Sequence, residues 1–278
     1  MAKLSDHQSS QYQKVLLAGD AMSGKTGSLV SLVAAGYKLR ILDFDNKLDI
    51  LRQMILAQCP EMIDNVEYIT VRDKFKAGPN GPVLDGTPKA FPTAMKMLDH
   101  WKYEGVDLGK PADWGPDCIL VLDSLSRLCD AAFDFNMAVM PAKLSADPRA
   151  VYGAAQDATE SVLATLTSEA FRTNVIVIAH VLYMELPGGT TKGFPQGVGQ
   201  KLSPKIPQYF PSYVLYMNKS GKRTIQTSST PLVDLANPAP LKMEKSYPIE
   251  TGLADFFAVL REPPAKVEKP KALTLKRI

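Results

Sequence analysis

Several features of common protein classes are missing from this sequence. No apolar run approaches the roughly 18 residues that a membrane-spanning helix needs, and the polar N-terminus contains no apolar signal core. The three cysteines are odd in number and show no paired metal-ligand spacing, and the three histidines lie far apart. We therefore expect no disulfide, no zinc site and no membrane partner, and a cytoplasmic location.

The sequence also lacks a strong net charge. Its formal charge is +3, but the last 18 residues, from Arg261, contain six Lys and Arg against two Glu and contribute +4 alone. The rest of the chain therefore carries a charge of about −1. A domain without net positive charge cannot bind nucleic acid through its overall electrostatic field. Any such binding must therefore come from local loops or from the tail.

Length and composition predict one α/β domain. With 278 residues and 45% hydrophobic content, the chain can bury one large core. We expect a polar N-terminal arm over residues 1–13, the domain over residues 14–260 and a disordered basic tail over residues 261–278.

Apolar strand patterns alternate with helical patterns along the domain. Strands are predicted at residues 14–18, 39–44, 66–71, 118–122 and 174–179. Helices are predicted at residues 24–35, 48–58, 88–103, from 147 onwards and at 251–260, with loops at 77–88, 105–116 and 185–211. This alternation predicts right-handed crossovers and a mostly parallel central sheet flanked by helices, followed by a C-terminal β-hairpin of residues 213–217 and 223–227.

A glycine-rich turn follows the first predicted strand. Its residues are Gly19, Asp20, Ala21, Met22, Ser23, Gly24, Lys25 and Thr26. Such a turn supplies backbone N–H groups and a helix N-terminus to closely spaced phosphate oxygens. Lys25 would reach the β- and γ-phosphates, and the Thr26 hydroxyl would ligate Mg²⁺. The turn therefore predicts binding of ATP with Mg²⁺.

Polar side chains end the neighbouring predicted strands. Asp123 is the expected second anchor for Mg²⁺, although a carboxylate in this position can also cap a helix. Hydrolysis requires a carboxylate that activates water, and Asp43 and Asp45 are both candidates, with helix capping as the alternative role. His180 ends an apolar strand, where it could contact the γ-phosphate; the alternative is a structural histidine.

Four segments, in this order, resemble the RecA-like recombinase core and especially compact phage versions that act in recombination or strand annealing. They are Ser23-Gly-Lys-Thr26, Ile41-Leu-Asp-Phe-Asp45, Leu120-Val-Leu-Asp-Ser124 and Ile176-Val-Ile-Ala-His180. The resemblance implies a RecA-like P-loop NTPase fold. It also implies catalysis by Asp45 with Lys25, and a switch at His180 that couples the γ-phosphate to a mobile DNA-binding loop at residues 186–203.

The long loop near residue 190 has its own features of a DNA-binding segment. Lys192, Lys201 and Lys205 supply positive charge, and Phe194 can stack on bases. The alternative is an ordinary flexible surface loop. RecA-like filaments also insert basic residues into a neighbour's ATP site, and Lys219, Lys222 and Arg223 are the candidates by that resemblance.

The resemblance implies a DNA-stimulated ATPase that binds single-stranded DNA and supports homologous recombination, DNA repair or strand annealing. Expected partners are single-stranded DNA, further copies of the chain in a ring or filament, and a single-stranded-DNA-binding protein; a phage-encoded chain would act in the host cytoplasm. The family usually has Glu where Asp45 stands, so an ATP-gated protein without hydrolysis is one alternative. A small-molecule kinase is another, although no arginine for a kinase lid lies between Arg172 and Arg223.

Overall fold

The structure is a computed structural model that describes residues 11–79, 81–140 and 147–262. Most of the predicted arm and tail, residues 1–10 and 263–278, lies outside the described residues. Their inner ends pack on the domain. The Gln13 backbone N–H donates to Asn174 Oδ1 at 2.9 Å, and the Arg261 guanidinium lies 4.8 Å from the centre of the Tyr37 ring. The exact domain boundaries stay a prediction.

Strands and helices alternate through the described part of the chain. The strands are β1 (Lys14–Gly19), β2 (Lys38–Asp43), β3 (Val66–Thr70), β4 (Phe75–Gly78), β5 (Gly81–Leu84), β6 (Trp101–Tyr103), β7 (Val106–Gly109), β8 (Gly115–Asp123), β9 (Thr173–Ala179), β10 (Val181–Glu185), β11 (Thr191–Pro195), β12 (Ser212–Lys219), β13 (Lys222–Gln226) and β14 (Ser246–Pro248). The helices are α1 (Lys25–Ser28), α2 (Val30–Ala34), α3 (Asp49–Gln58), α4 (Ala90–Asp99), α5 (Leu125–Val139), α6 (Pro148–Thr167), α7 (Gly199–Leu202) and α8 (Gly252–Arg261). Short 3₁₀ turns cover Pro60–Asn65, Pro111–Asp113 and Ile206–Tyr209.

Eight strands form the central sheet, in the order β14-β13-β12-β1-β9-β8-β2-β3. The six strands from β12 to β3 are parallel, and β13 and β14 add an antiparallel edge. This confirms the predicted α/β fold with a mostly parallel sheet and a C-terminal hairpin. Because parallel strands end at one edge, β1, β9, β8 and β2 bring their following residues together there.

Each face of the sheet covers its own apolar core. Alternate residues of β1 point to opposite faces, so Leu16 packs in one cluster and Leu17 in the other. The first cluster includes Leu128 of α5 and Leu163 of α6, and the second includes residues of α2, α3 and α8. Helices on both faces explain why the central strands are continuous apolar runs.

Two predicted loops between β3 and β8 contain regular structure. Residues predicted as the loop 77–88 form most of the hairpin β4–β5, and β7 lies inside the predicted loop 105–116. The predicted helix 88–103 ends earlier, at Asp99, because residues 101–103 form β6. Both hairpins turn on left-handed glycines, with φ of 122° at Gly81 and 86° at Gly105. The glycines of the sequence correctly predicted the positions of the turns, but the short flanking strands were not predicted.

Helix α5 was not predicted from the sequence. Its apolar residues Leu125, Leu128, Cys129 and Ala132 are buried and have helical spacing, and the helix packs against α6. The ring centres of Phe133 and Tyr152 lie 4.5 Å apart between the two helices. This helix begins directly after Asp123 and Ser124, so its first turn borders the edge of the sheet where the predicted site lies.

Candidate functional site

The glycine-rich turn connects β1 to α1 at the carboxyl edge of the sheet. Gly24 has a left-handed φ of 97°, and a Cβ atom at this position would collide with Ile249. A Cβ atom on Gly19 would lie 2.8 Å from the Tyr216 carbonyl oxygen. Gly24 is therefore required by its left-handed backbone, and Gly19 by the close approach of β12.

Lys25 is buried inside the turn. Its Nζ donates to the carbonyl oxygens of Gly19 and Asp20, each at 2.8 Å, and to Ser23 Oγ at 3.3 Å. Burial lowers the pKa of Lys25 to about 8, and the nearby Asp123, Asp20 and Asp45 carboxylates oppose that shift. The turn thus concentrates a cation and helix N–H groups, which is the environment that a polyphosphate needs.

Thr26 and Asp123 meet across the edge of the sheet. The Thr26 hydroxyl donates to Asp123 Oδ2 at 2.7 Å. Asp123 is 3% exposed, and burial raises its pKa to about 7. A hydroxyl and a carboxylate oxygen are suitable Mg²⁺ ligands. Within residues 11–79, 81–140 and 147–262, no group of three or more His, Cys, Asp and Glu could hold a metal. The pair therefore fits a cation that nucleotide phosphates and water also hold, and does not form an all-protein cage.

The two aspartates after β2 have different surroundings. Asp43 is buried, and its Oδ1 accepts from the backbone N–H groups of Asp45 at 3.1 Å and Asn46 at 2.7 Å. Burial raises the pKa of Asp43, and these backbone bonds oppose the shift. Asp45 Oδ1 instead accepts from the Ser124 hydroxyl at 3.3 Å, and its side chain is 13% exposed. Asp43 therefore stabilises the turn, whereas Asp45 faces the end of β8.

His180 lies beside Asp45 at the end of β9. Its Nε2 is 3.9 Å from Asp45 Oδ2. Burial and then the Lys25 ammonium hold the pKa of His180 below its ordinary value, so the imidazole is neutral at neutral pH. The His180 backbone N–H donates to Ser126 Oγ at 3.2 Å, and its carbonyl accepts from the Gln196 N–H at 2.8 Å. The histidine thus contacts both the site and the segment after β11.

Sequence reasoning missed two residues at this site, Ser126 and Arg127, on the first turn of α5. Ser126 bonds the His180 backbone, and Arg127 Nε lies 3.7 Å from Asp45 Oδ1. Predicting α5 would have revealed them, because a helix that starts after Asp123 must present its first turn at the same edge.

The predicted DNA-binding residues lie on or near the hairpin β10–β11. Lys192 on β11 pairs with Asp234 at 2.9 Å, and Lys205 pairs with Glu160 at 2.8 Å. Phe194 is half-buried and opposite Leu182 in the hairpin register, while Lys201 on α7 is exposed. Residues 186–203, expected as a mobile loop, thus contain strand β11 and helix α7, because β10 supplies the main-chain partners for β11.

The hairpin β10–β11 lies near the glycine-rich turn of residues 19–26, which is called the phosphate turn below. Burial and then the charge of Asp20 raise the pKa of Tyr183 on β10. A second hairpin, β12–β13, approaches the turn from the other side. Arg223 Cδ lies 3.5 Å from the position that a Cβ atom would take on Gly24. Arg223, considered above for a neighbour's site, therefore lies beside the phosphate turn of its own chain.

The parallel sheet and the glycine-rich turn at its edge define an α/β P-loop fold. A family model described as "AAA domain" matches residues 11–237 of the sequence. The chain belongs to this AAA domain family. No curated protein sequence matches it. In the described part of the chain, no helix combines the length and the apolar character that crossing a membrane requires.

Three solved structures are similar to this chain. The RadB recombinase has 17% identity and a TM-score of 0.47, with 86% of this chain and 89% of that chain covered. A prototypical ATPase from the type III secretion system of pathogenic bacteria has 13% identity and a TM-score of 0.37, covering 74% and 51% of the two chains. EscN, an ATPase assembled with its central stalk EscO in the type III secretion system of enteropathogenic E. coli, has 12% identity and a TM-score of 0.39, covering 74% and 42%.

Replacing Asp123 with Asn should change how stability depends on pH. Because the pKa of Asp123 is raised from 3.8 to about 7 in the folded chain, the unfolded chain releases this proton first, and stability falls as pH rises between about 4 and 7. Above pH 7 the buried Asp123 carboxylate destabilises the fold by its full amount. Asp123→Asn removes the buried charge, so its stability relative to the wild type should increase by about 1–3 kcal/mol from pH 5 to pH 8.

Urea unfolding without nucleotide and with a metal chelator measures this difference. Asp117→Asn is the control, because the Asp117 side chain is 89% exposed. The difference in unfolding free energy between this variant and the wild type should not change with pH. An equally flat difference for Asp123→Asn would show that Asp123 does not carry a raised pKa.

Proposed function

We propose that this chain is a Mg²⁺-dependent ATPase that binds single-stranded DNA and supports homologous recombination, DNA repair or strand annealing. The observation that carries the proposal is the meeting of Lys25, Thr26, Asp123, Asp45 and His180 at one edge of the sheet, where the hairpin β10–β11 starts directly after His180. His180 would then connect the nucleotide site to the hairpin that binds DNA.

Each residue of the site would have a separate role in ATP hydrolysis. Lys25 would leave the carbonyl oxygens of its own turn and bind the β- and γ-phosphates. Thr26 and Asp123 would hold Mg²⁺, which neutralises charge that develops on the phosphates. Asp45 would take a proton from a water whose oxygen attacks the γ-phosphorus while the bond to the bridging oxygen of ADP breaks. Asp43 is poorly placed for this role because its Oδ1 already accepts two backbone N–H groups.

Hydrogen bonds at the end of β9 offer a route from the nucleotide to the hairpin. The Ser126 hydroxyl lies between His180 and Gln196, at 3.2 Å from the His180 N and 3.4 Å from the Gln196 carbonyl oxygen. The Gln196 N–H also donates to the His180 carbonyl. A shift of His180 toward a γ-phosphate would therefore change the anchoring of β11, which ends at Pro195.

The hairpin region supplies the chemistry for binding a single strand. Lys192, Lys201 and Lys205 would neutralise phosphates, and Phe194 would stack on a base. Lys192 and Lys205 would exchange their carboxylate partners for phosphates, so binding should be weak and sensitive to salt. We further propose that several copies of the chain bind one strand as a ring or filament, assisted by a single-stranded-DNA-binding protein.

ATP turnover measured with and without single-stranded DNA tests this function directly. The wild-type chain with Mg²⁺ should hydrolyse ATP faster when single-stranded DNA is added at low salt, because strand binding would reposition the hairpin. Lys25→Ala should lose turnover in both conditions, since it removes the phosphate-binding cation. Turnover that ignores DNA, together with no DNA binding at low salt, would exclude the recombination function. ADP release that depends on an added nucleoside or nucleotide would indicate a kinase instead.

Exchanging each aspartate after β2 for asparagine identifies the catalytic base. Asp45→Asn should lower kcat by about 100-fold or more while ATP binding changes little, because an amide cannot accept the proton. Asp43→Asn should keep most of its kcat, since the amide oxygen can still accept the turn's N–H groups. Comparing kcat with the Kd of a fluorescent ATP analogue separates catalysis from binding. If Asp43→Asn is the inactive variant instead, the roles assigned to the two aspartates are reversed.

A further inference from the structure

Arg127 lies beside Asp45 on the first turn of α5. Its Nε is 3.7 Å from Asp45 Oδ1, and its Nη1 is 3.1 Å from Asp130 Oδ2. Asp130 follows Arg127 by three residues, so both side chains lie on one face of the helix. One end of the guanidinium is therefore held by Asp130 while the other end faces Asp45.

Arg127 contributes to charge compensation at Asp45. Asp43 and Asp123 lie close enough to repel the Asp45 carboxylate. His180 is within ion-pair distance but neutral at neutral pH, for the reasons given above. Arginine, in contrast, keeps its charge at every relevant pH. Among the residues that the structure describes, Arg127 thus brings a permanent positive charge within 4 Å of Asp45.

The orientation of Asp45 also depends on α5. The Ser124 hydroxyl, which precedes the helix, donates to the same Oδ1 that Arg127 approaches. An aspartate is one methylene shorter than the glutamate usual in RecA-like enzymes, so a small rotation would withdraw it from the attacking water. Two groups on one rigid helix terminus can hold the carboxylate against such a rotation.

We propose that Arg127 is a positioning residue for ATP hydrolysis, which fixes the Asp45 carboxylate together with Ser124 in the orientation that accepts a proton from water. This inference rests on the proposed hydrolytic function. Asp130 acts one step further away by holding the guanidinium in place. The nucleotide itself is bound by the phosphate turn, so Arg127 affects the chemical step and leaves binding unchanged.

The test measures kcat and KM for ATP with the full chain and Mg²⁺, with and without single-stranded DNA. Arg127→Gln should lower kcat by about 10- to 100-fold with KM changed less than about threefold. Arg127→Lys should restore part of the loss because it keeps the charge. Asp130→Asn should lower kcat by a smaller factor.

Arg172→Gln is a matched control. Arg172 is 63% exposed and pairs with Asp113 at 2.6 Å, whereas Arg127 is 62% exposed, so both changes remove an exposed arginine from a carboxylate pair. The control should retain wild-type kinetics. Equal kcat for wild type and Arg127→Gln, or a raised KM with unchanged kcat, would overturn this role while the ATPase function stands. No turnover by the wild type in either condition would overturn the hydrolytic function and this role together.

Discussion

The hydrogen bond from Thr26 to the buried Asp123 ties the phosphate turn to the end of β8, across the intervening strand β9. The rest of the site is arranged around this contact. Because β1, β9, β8 and β2 are parallel neighbours, the residues after them must meet at one edge. Burial opposes the charge of Asp123 there, a cost expected of a carboxylate that would hold a cation beside a triphosphate.

A second constraint comes from the start of α5. Ser124, Ser126 and Arg127 follow Asp123 within one helical turn. Ser124 and Arg127 both approach Asp45 Oδ1, and Ser126 accepts from the His180 backbone N–H. A single helix terminus thus sets the geometry around the proposed base and around the strand that leads to the hairpin. Movement of α5 relative to β9 would change the geometry at both places.

The sequence was sufficient for the parts of the fold that depend on long apolar patterns. The parallel sheet and the phosphate turn could be predicted because buried strands and glycine turns have strong local signals. The difference between Asp43 and Asp45 could not, since it depends on which carboxylate accepts the N–H groups of the turn. Arg127 was missed together with α5, and the ion pairs of Lys192 and Lys205 involve partners 42 and 45 residues away along the chain.

In the proposed mechanism, His180 couples nucleotide binding to the hairpin β10–β11. Amide hydrogen exchange with a non-hydrolysable ATP analogue and Mg²⁺ tests it most directly, because exchange reports local opening of backbone hydrogen bonds. The analogue should change exchange across residues 181–196 as well as in the phosphate turn, and should leave exchange unchanged in the hairpin β4–β5, which follows the outermost strand β3. A change confined to the phosphate turn and the start of α5 would contradict the coupling.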